Sequence, residues 1–238
     1  MLEKMVIGGI GMIDIITAHA GADCAEDCIE SWHSDNYGTI FVEDGYDHGM
    51  LKAYEKGWRK SKANFIAFIH DDVIIREPWI DKGLDAFDDP SVGLVGFGGA
   101  LQHGRDDIYK TPYDYRQVGR FEYISNTDDA EVHGERFTGT REVAVLDGFC
   151  LILRRDLLER CGGWPIDKLD YIGYDYWISC MAHRLGFSIR LIGIRCHHLG
   201  GKTAVALGKN FDPDGEAYKS SHKYIYDEFR DVLPWRTK

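Results

Sequence analysis

Two periods organise the hydrophobic and polar positions of the chain. Short runs of β-branched and aromatic residues, closed by glycine or acids, predict buried strands, and apolar residues three and four apart predict helices. Met12 to Ala18 predicts a first strand, followed by a helix from Asp23, as N-cap, to about Trp32. Gly38 to Glu43 predicts a second strand, and it runs into Glu43-Asp44-Gly45. His48 to Ser61 predicts a helix with Leu51, Tyr54 and Trp58 in its stripe and basic residues at its end. Next comes a strand from Asn64 that ends abruptly in His70, Asp71 and Asp72, then resumes as Val73-Ile74-Ile75. Pro78 suits the first turn of a helix striped by Ile80, Leu84 and Phe87. Val92 to Phe97 predicts another strand, closed by Gly98-Gly99.

From Leu101 to Glu142 the period is lost, and the stretch is polar and rich in Tyr, Asp, Arg and Gly. An aperiodic stretch that long is functional or mobile in a compact domain, so it reads as a substrate-facing excursion with a few short elements. Val143 to Leu153 predicts a strand interrupted at Asp147-Gly148, and Asp156 is placed to cap a short helix that Gly162 stops. Tyr174 to Leu185 predicts an amphipathic helix with Trp177, Ile178, Met181 and Leu185 on one side, ended by Gly186. Ser188 to Arg195 alternates as a strand and leads into Cys196-His197-His198-Leu199-Gly200-Gly201, and the tail holds a mixed-charge helix over about Ala217 to Leu233. The early alternation of strands and helices predicts an α/β fold with a mainly parallel sheet and helices on both faces.

Composition narrows the function. The 238 residues are 44% hydrophobic, enough for a real core, and carry a formal net charge of −11. Such acidity argues against nucleic acid or an anionic membrane as partner, and suits a cation that recruits a phosphate. No segment reads as transmembrane: Met5 to Ala18 is too short, holds Asp14 and lacks the marks of a secretory signal. The cysteines Cys24, Cys28, Cys150, Cys161, Cys180 and Cys196 read as reduced thiols of a cytoplasmic protein, and Cys24-x3-Cys28 with Cys196-His197 matches no familiar zinc pattern.

Acids and histidines gather at strand ends: Glu43-Asp44, Asp71-Asp72 and His197-His198, with Asp175 opening a later helix. Ligands of open α/β sheets bind at the C-terminal ends of strands. Two adjacent carboxylates at the end of a buried strand are costly unless neutralised, and a divalent cation is the simplest neutraliser. Side chains alternate along a strand, so only one of Asp71 and Asp72 can face such a cation unless the chain turns there. Each cluster also has a plainer reading: a turn former, a structural histidine pair, an acid in a helix's first turn. Two phosphate-loop patterns fail. Gly8-Gly9-Ile10-Gly11 precedes its strand and meets Asp14 where Gly or Ala is needed, and Gly201-Lys202-Thr203 has Cys196 in place of the leading Gly.

The ordered set resembles the family 2 glycosyltransferases of GT-A fold over about residues 12 to 203. The carrying segments are Ile15 to His19 with Cys28 to Trp32, Phe41 to Gly45, Lys52 to Gly57, Phe68 to Val73, Asp147-Gly148-Phe149 through Asp156, Gly162-Gly163-Trp164, Gly173-Tyr174-Asp175 and His198 to Gly201. The resemblance implies one GT-A-like domain over 1–238. About 12–100 would be the nucleotide-sugar half, about 101–203 the acceptor-side half and 204–238 a tail. It implies transfer of a sugar from a nucleotide diphosphate sugar to an acceptor hydroxyl, with Mn2+ or Mg2+ as cofactor. It places Ala18, Glu43 and Asp44 at the nucleoside, Asp71 at the ribose or a metal-bound water, Asp72 as the main metal ligand with His198 or His197 beside it, and Asp175 as the general base of an inverting displacement. Three features depart from the family's pattern: His70 stands where Asp is commoner, Tyr174 where an acid precedes the base, and His70 lies only 26 residues after Asp44. A nucleotidyltransferase, and a nucleotide- or sugar-binding module without turnover, remain as alternatives.

Overall fold

The structure is a computed structural model that describes residues 13–19, 21, 23–33, 37–45, 49–103, 117–119, 121–124, 130–133, 137–200, 215–233 and 235–237. The elements in chain order are β1 (Ile13–His19), α1 (Ala25–Ser31), β2 (Tyr37–Asp44), α2 (Met50–Lys60), β3 (Phe65–Ile69), β4 (Val73–Ile75), α3 (Ile80–Asp85), β5 (Val92–Gly96), β6 (Gly98–Ala100) and β7 (Gln102–His103). There follow β8 (Gln117–Gly119), β9 (Phe121–Ile124), β10 (Ala130–His133), β11 (Thr140–Glu142), β12 (Val145–Leu146), β13 (Cys150–Arg154), α4 (Arg155–Cys161), α5 (Tyr174–Arg184), β14 (Ser188–Ile192), β15 (Cys196–His198), α6 (Glu216–Glu228) and β16 (Trp235–Arg236).

Seven strands form the main sheet in the order β11-β14-β5-β13-β3-β1-β2. The pairings make five of the seven run the same way, with β13 and β11 reversed. The mainly parallel α/β sheet flanked by helices is thus as expected. The period-two pattern sorts the core onto two faces. Ile16, Ile66, Phe68, Leu151 and Leu153 face α2, α4, α5 and α6, whereas Ile15, Ala67, Ile69, Cys150 and Ile152 face α1 and α3. Smaller sheets join β10-β9-β15-β4, β12-β6-β8 and β16-β7. The chain therefore leaves the main sheet at the end of β3 and enters the second sheet at β4. There His198 of β15 pairs with Val73.

Several local expectations are corrected. The N-cap of α1 is Cys24, not Asp23, and Asp156 lies inside the first turn of α4, whose N-cap is Arg154. Pro78 precedes the α3 N-cap, Trp79, and so sits outside the first turn. Gly98 and Gly99 do not close a strand; they form β6 against β12 and β8. The helix α5 is not one-sided: Tyr174, Tyr176, Trp177, Ile178, Ser179, Cys180, Ala182 and His183 are all buried. The cause is the tail. α6 lies over the outer side of α5, with His222 against Tyr176 and Arg184 paired to Glu228 and Asp231. The polar stretch 101–142 contributes β7 to β11, and Gly8 to Gly11 and Gly201 to Thr203 lie outside the described residues. All six cysteines are free, and among the described residues no helix is long and apolar enough to cross a membrane.

Glycine sets how closely α2 approaches the sheet. A Cβ on Gly57 would lie 2.5 Å from Cγ2 of Ile16, a methyl on a β-branched side chain with little freedom to retreat. An exposed helical Gly→Ala change gains about 1 kcal/mol of propensity. At Gly57 the overlap outweighs that gain, so Gly57→Ala is expected to lose about 1–2 kcal/mol in urea unfolding. An increase in stability would show that the helix can shift outward freely.

Candidate active site

The sequence His70-Asp71-Asp72 forms a tight turn between two sheets. Val73 N–H donates to the His70 carbonyl at 3.3 Å and closes it. His70 N–H donates to the Phe149 carbonyl at 3.0 Å, and Leu199 N–H donates to the Asp72 carbonyl at 2.9 Å. Backbone bonds thus draw together the ends of β3, β13 and β15, far apart in sequence. This is no solvated turn: Asp71 is 1% exposed and Asp72 2%. Their carboxylates diverge within the turn. Asp71 Oδ2 lies 3.0 Å from Nδ1 of His19 at the end of β1. Asp72 Oδ1 lies 3.3 Å from His198 Nε2 and 3.9 Å from His70 Nδ1, and the two histidine nitrogens are 3.4 Å apart.

His70, Asp72 and His198 are the one cluster of at least three such side chains among the described residues with ligand atoms close enough to hold a metal ion. Edges of 3.3 to 3.9 Å suit donors sharing a cation with bonds of about 2.0–2.2 Å, so these residues fit a divalent ion. The sequence reading did not include His70 among its candidate ligands. Its place two residues before Asp72 was visible, but its meeting with His198, 128 residues later, was not. His197 is half-buried and outside the cluster. The Cys24, Cys28, Cys196 and His197 set does not form such a cluster.

Burial, with neighbouring His198, lowers the pKa of His70. Burial opposes charge on His198 too, but the attraction and hydrogen bond of Asp72 outweigh it and raise its pKa. The His198 ring stacks on Phe149 with centroids 5.0 Å apart. On the far side of His70, Nε2 is 2.6 Å from the Tyr174 hydroxyl, which donates to the Gly148 carbonyl at 2.9 Å.

Gly173, with φ of 82°, is the N-cap of α5, so Asp175 is not the cap. Asp175 is half-buried in the first turn, and its Oδ1 accepts the Tyr176 N–H at 2.9 Å. Burial and the nearby charge of Asp147 push its pKa up to about 7, despite backbone hydrogen bonds that include one from Gly148. Asp147 also acts electrostatically on His70, His198 and Tyr174, so it belongs to the site. The sequence reading used it as a strand interruption and as part of a segment that carries the resemblance, not as a site residue.

The strand-end acids of β2 also separate. Glu43, opposite Ala18 in the register, is buried and ion-paired to Lys56 at 2.9 Å and to Lys60 of α2. Asp44, opposite His19, is exposed at the strand end. Ala18 is buried and packs beneath Gly45, where a Cβ would meet its own Cβ at 3.1 Å.

Residues 29–191 match the sequence model of a family described as "Glycosyltransferase like family". No curated protein matches the sequence. Among solved structures, the chain is similar to GalNAc-T7 with UDP, GalNAc and Mn2+, with a TM-score of 0.58 and 10% identity over 92% of this chain and 50% of that one. It thus spans half the length of that protein. It is also similar to the mannosyltransferase PcManGT from Pyrobaculum calidifontis in complex with GDP-Man and Mn2+, with a TM-score of 0.44 and 16% identity over 98% of this chain and 76% of that one. The fold is that of the GT-A glycosyltransferases, as expected.

The raised pKa of Asp175 has a consequence for stability. An unfolded aspartate ionises near 4, whereas the folded one keeps its proton until about 7. Folding therefore favours the protonated form, and stability is lost as pH rises from about 4 through 7. Asp175→Asn removes the burden of the buried charge. In metal-free protein it is expected to be more stable than the parent by about 1–2 kcal/mol at pH 8, allowing for partial solvent access, and equal to it near pH 4. Chemical denaturation at both pH values checks this, and equal stability at pH 8 would remove the case for a strained carboxylate.

Proposed function

We propose a function from one premise: the chain belongs to the glycosyltransferase-like family. In this reading it is a hexosyltransferase-like enzyme that moves a sugar from a nucleotide diphosphate sugar to an acceptor hydroxyl with inversion. The observation that carries the reading is the His70, Asp72 and His198 cluster at the C-terminal end of a central strand, where α/β sheets take ligands. GalNAc-T7, of similar fold, carries UDP, GalNAc and Mn2+. His70, Asp72 and His198 would hold the cation here, and two imidazoles with one carboxylate favour Mn2+ over the harder Mg2+. When bound, the cation neutralises charge developing on the diphosphate leaving group.

The chain's own residues take the remaining roles. Asp44 and the backbone at Ala18 meet the nucleoside, while Glu43, engaged by Lys56 and Lys60, holds α2 against β2. Asp71, oriented by His19, reaches the ribose. Asp175 accepts the acceptor's proton, and a base with pKa near 7 is matched to neutral pH. We assign residues 12–100 to the donor side and 101–203 to the acceptor side of one GT-A-like domain. Six free thiols support a reducing, cytoplasmic setting.

Calorimetry with Mn2+ and nucleoside diphosphates tests the donor side. Asp72→Asn and His198→Ala are expected to abolish metal-dependent nucleotide binding, Asp71→Asn to weaken it less, and His197→Ala to leave it near the parent value. Unchanged affinity in Asp72→Asn would sink the metal assignment. On an identified acceptor, Asp175→Asn is expected to bind donor normally and lose about a hundredfold or more in transfer rate. The parent rate should rise with pH toward about 7 and then level. Turnover retained by Asp175→Asn would end its assignment as base, and donor binding without turnover in the parent protein would favour a binding module.

A further inference from the structure

We infer that Tyr174 is a positioning residue that fixes the ring orientation and tautomer of His70, leaving the His70 Nδ1 lone pair facing Asp72 and His198. This rests on the reading of that cluster as a cation site. The argument is a count of protons. A tyrosine hydroxyl has one proton to donate, and a carbonyl can only accept. The Tyr174 hydroxyl lies 2.9 Å from the Gly148 carbonyl and gives its proton there. In its 2.6 Å contact with His70 Nε2 the hydroxyl can then only accept, so the His70 proton sits on Nε2. A neutral imidazole has a single N–H, which leaves Nδ1 bare at 3.4 Å from His198 Nε2 and 3.9 Å from Asp72 Oδ1. A histidine whose far nitrogen is held in this way keeps its near nitrogen ready as a ligand.

The hydroxyl has little freedom to do otherwise. A Cβ on Gly148 would lie 2.2 Å from the Tyr174 hydroxyl oxygen, so it occupies space that only glycine leaves open. The ring is held by Tyr54 and Trp164, with centroids 6.1 and 6.0 Å away. The competing explanation is purely structural: the hydroxyl pins the Gly148 turn, and its contact with His70 is incidental. The two explanations differ in what they expect of metal affinity.

Tyr174→Phe keeps the ring and removes the hydroxyl. Mn2+ affinity measured by calorimetry, without substrate or turnover, is expected to fall about 10- to 100-fold. In a His70→Ala background the same change should have no further effect, because Tyr174 acts through His70. Nitrogen-15 shifts of His70 in metal-free parent protein provide a readout that needs no variant, and the Nε2–H form is expected. Parent-like Mn2+ affinity in Tyr174→Phe, equal losses in both backgrounds, or an Nδ1–H form in the parent would each overturn the inference while leaving the cation site in place. A parent protein with no Mn2+ affinity would instead overturn the cation reading, and with it the purpose given to Tyr174.

Discussion

The structure turns on the burial of two adjacent carboxylates, Asp71 and Asp72, with almost no solvent access. A carboxylate out of water must be paired or must bind a cation. The turn solves this by sending the two in opposite directions: Asp71 to His19 on β1, and Asp72 to His70 and His198. That solution needs the ends of three distant strands at one point. The antiparallel insertion of β13 beside β3 supplies Phe149, whose carbonyl holds the turn and whose ring carries His198. The change of sheet at β4 supplies β15. Both features break the simple parallel alternation, and both serve the same turn.

Gly148 connects this turn to the helix that carries Asp175. Its carbonyl accepts the Tyr174 hydroxyl, and its N–H bonds to the Asp175 carboxylate. One backbone position therefore restrains both the ring that supports His70 and the Asp175 carboxylate. In the proposed function, rigidity of this kind would hold Asp175 within the tolerance that catalysis requires. It also explains why the acid is strained. Asp175 is held close to Asp147 on a buried helix start, where its charge is opposed by burial and by a like charge.

Much of the fold was legible because its strands follow the period of two and end in acids. The period of two separates Glu43, buried against α2, from exposed Asp44 at the end of β2, whereas the split between Asp71 and Asp72 is made by a turn that the strand pattern does not describe. What stayed hidden depends on long-range partners. That α5 is buried on all sides could not be read from its own sequence, because the covering helix lies beyond residue 215. His70 as a member of the cluster required knowing that His198, 128 residues later, meets it. Asp147 looked like a strand break, and only the fold sets it among His70, His198 and Asp175.

The two unusual residues of the motifs, His70 and Tyr174, touch each other at 2.6 Å, and this contact gives them a common cause. A carboxylate at position 70 would put a second negative charge beside Asp72, and a second acid at 174 would add a third near Asp147 and Asp175. In a buried site each added like charge raises the cost of ionising the others. A neutral histidine supported by a neutral tyrosine keeps three polar donors in the cluster while leaving Asp72 as its sole negative charge. In the proposed function, such a set would withdraw less of a divalent ion's charge than two carboxylates and would leave more of it for a diphosphate. Replacing an acid by histidine at one position thus calls for a hydrogen-bond acceptor at the other, since an imidazole has two nitrogens to satisfy where the cluster uses only one. In the proposed function, His70 and Tyr174 would therefore act as coupled parts of one chemical solution through their 2.6 Å contact.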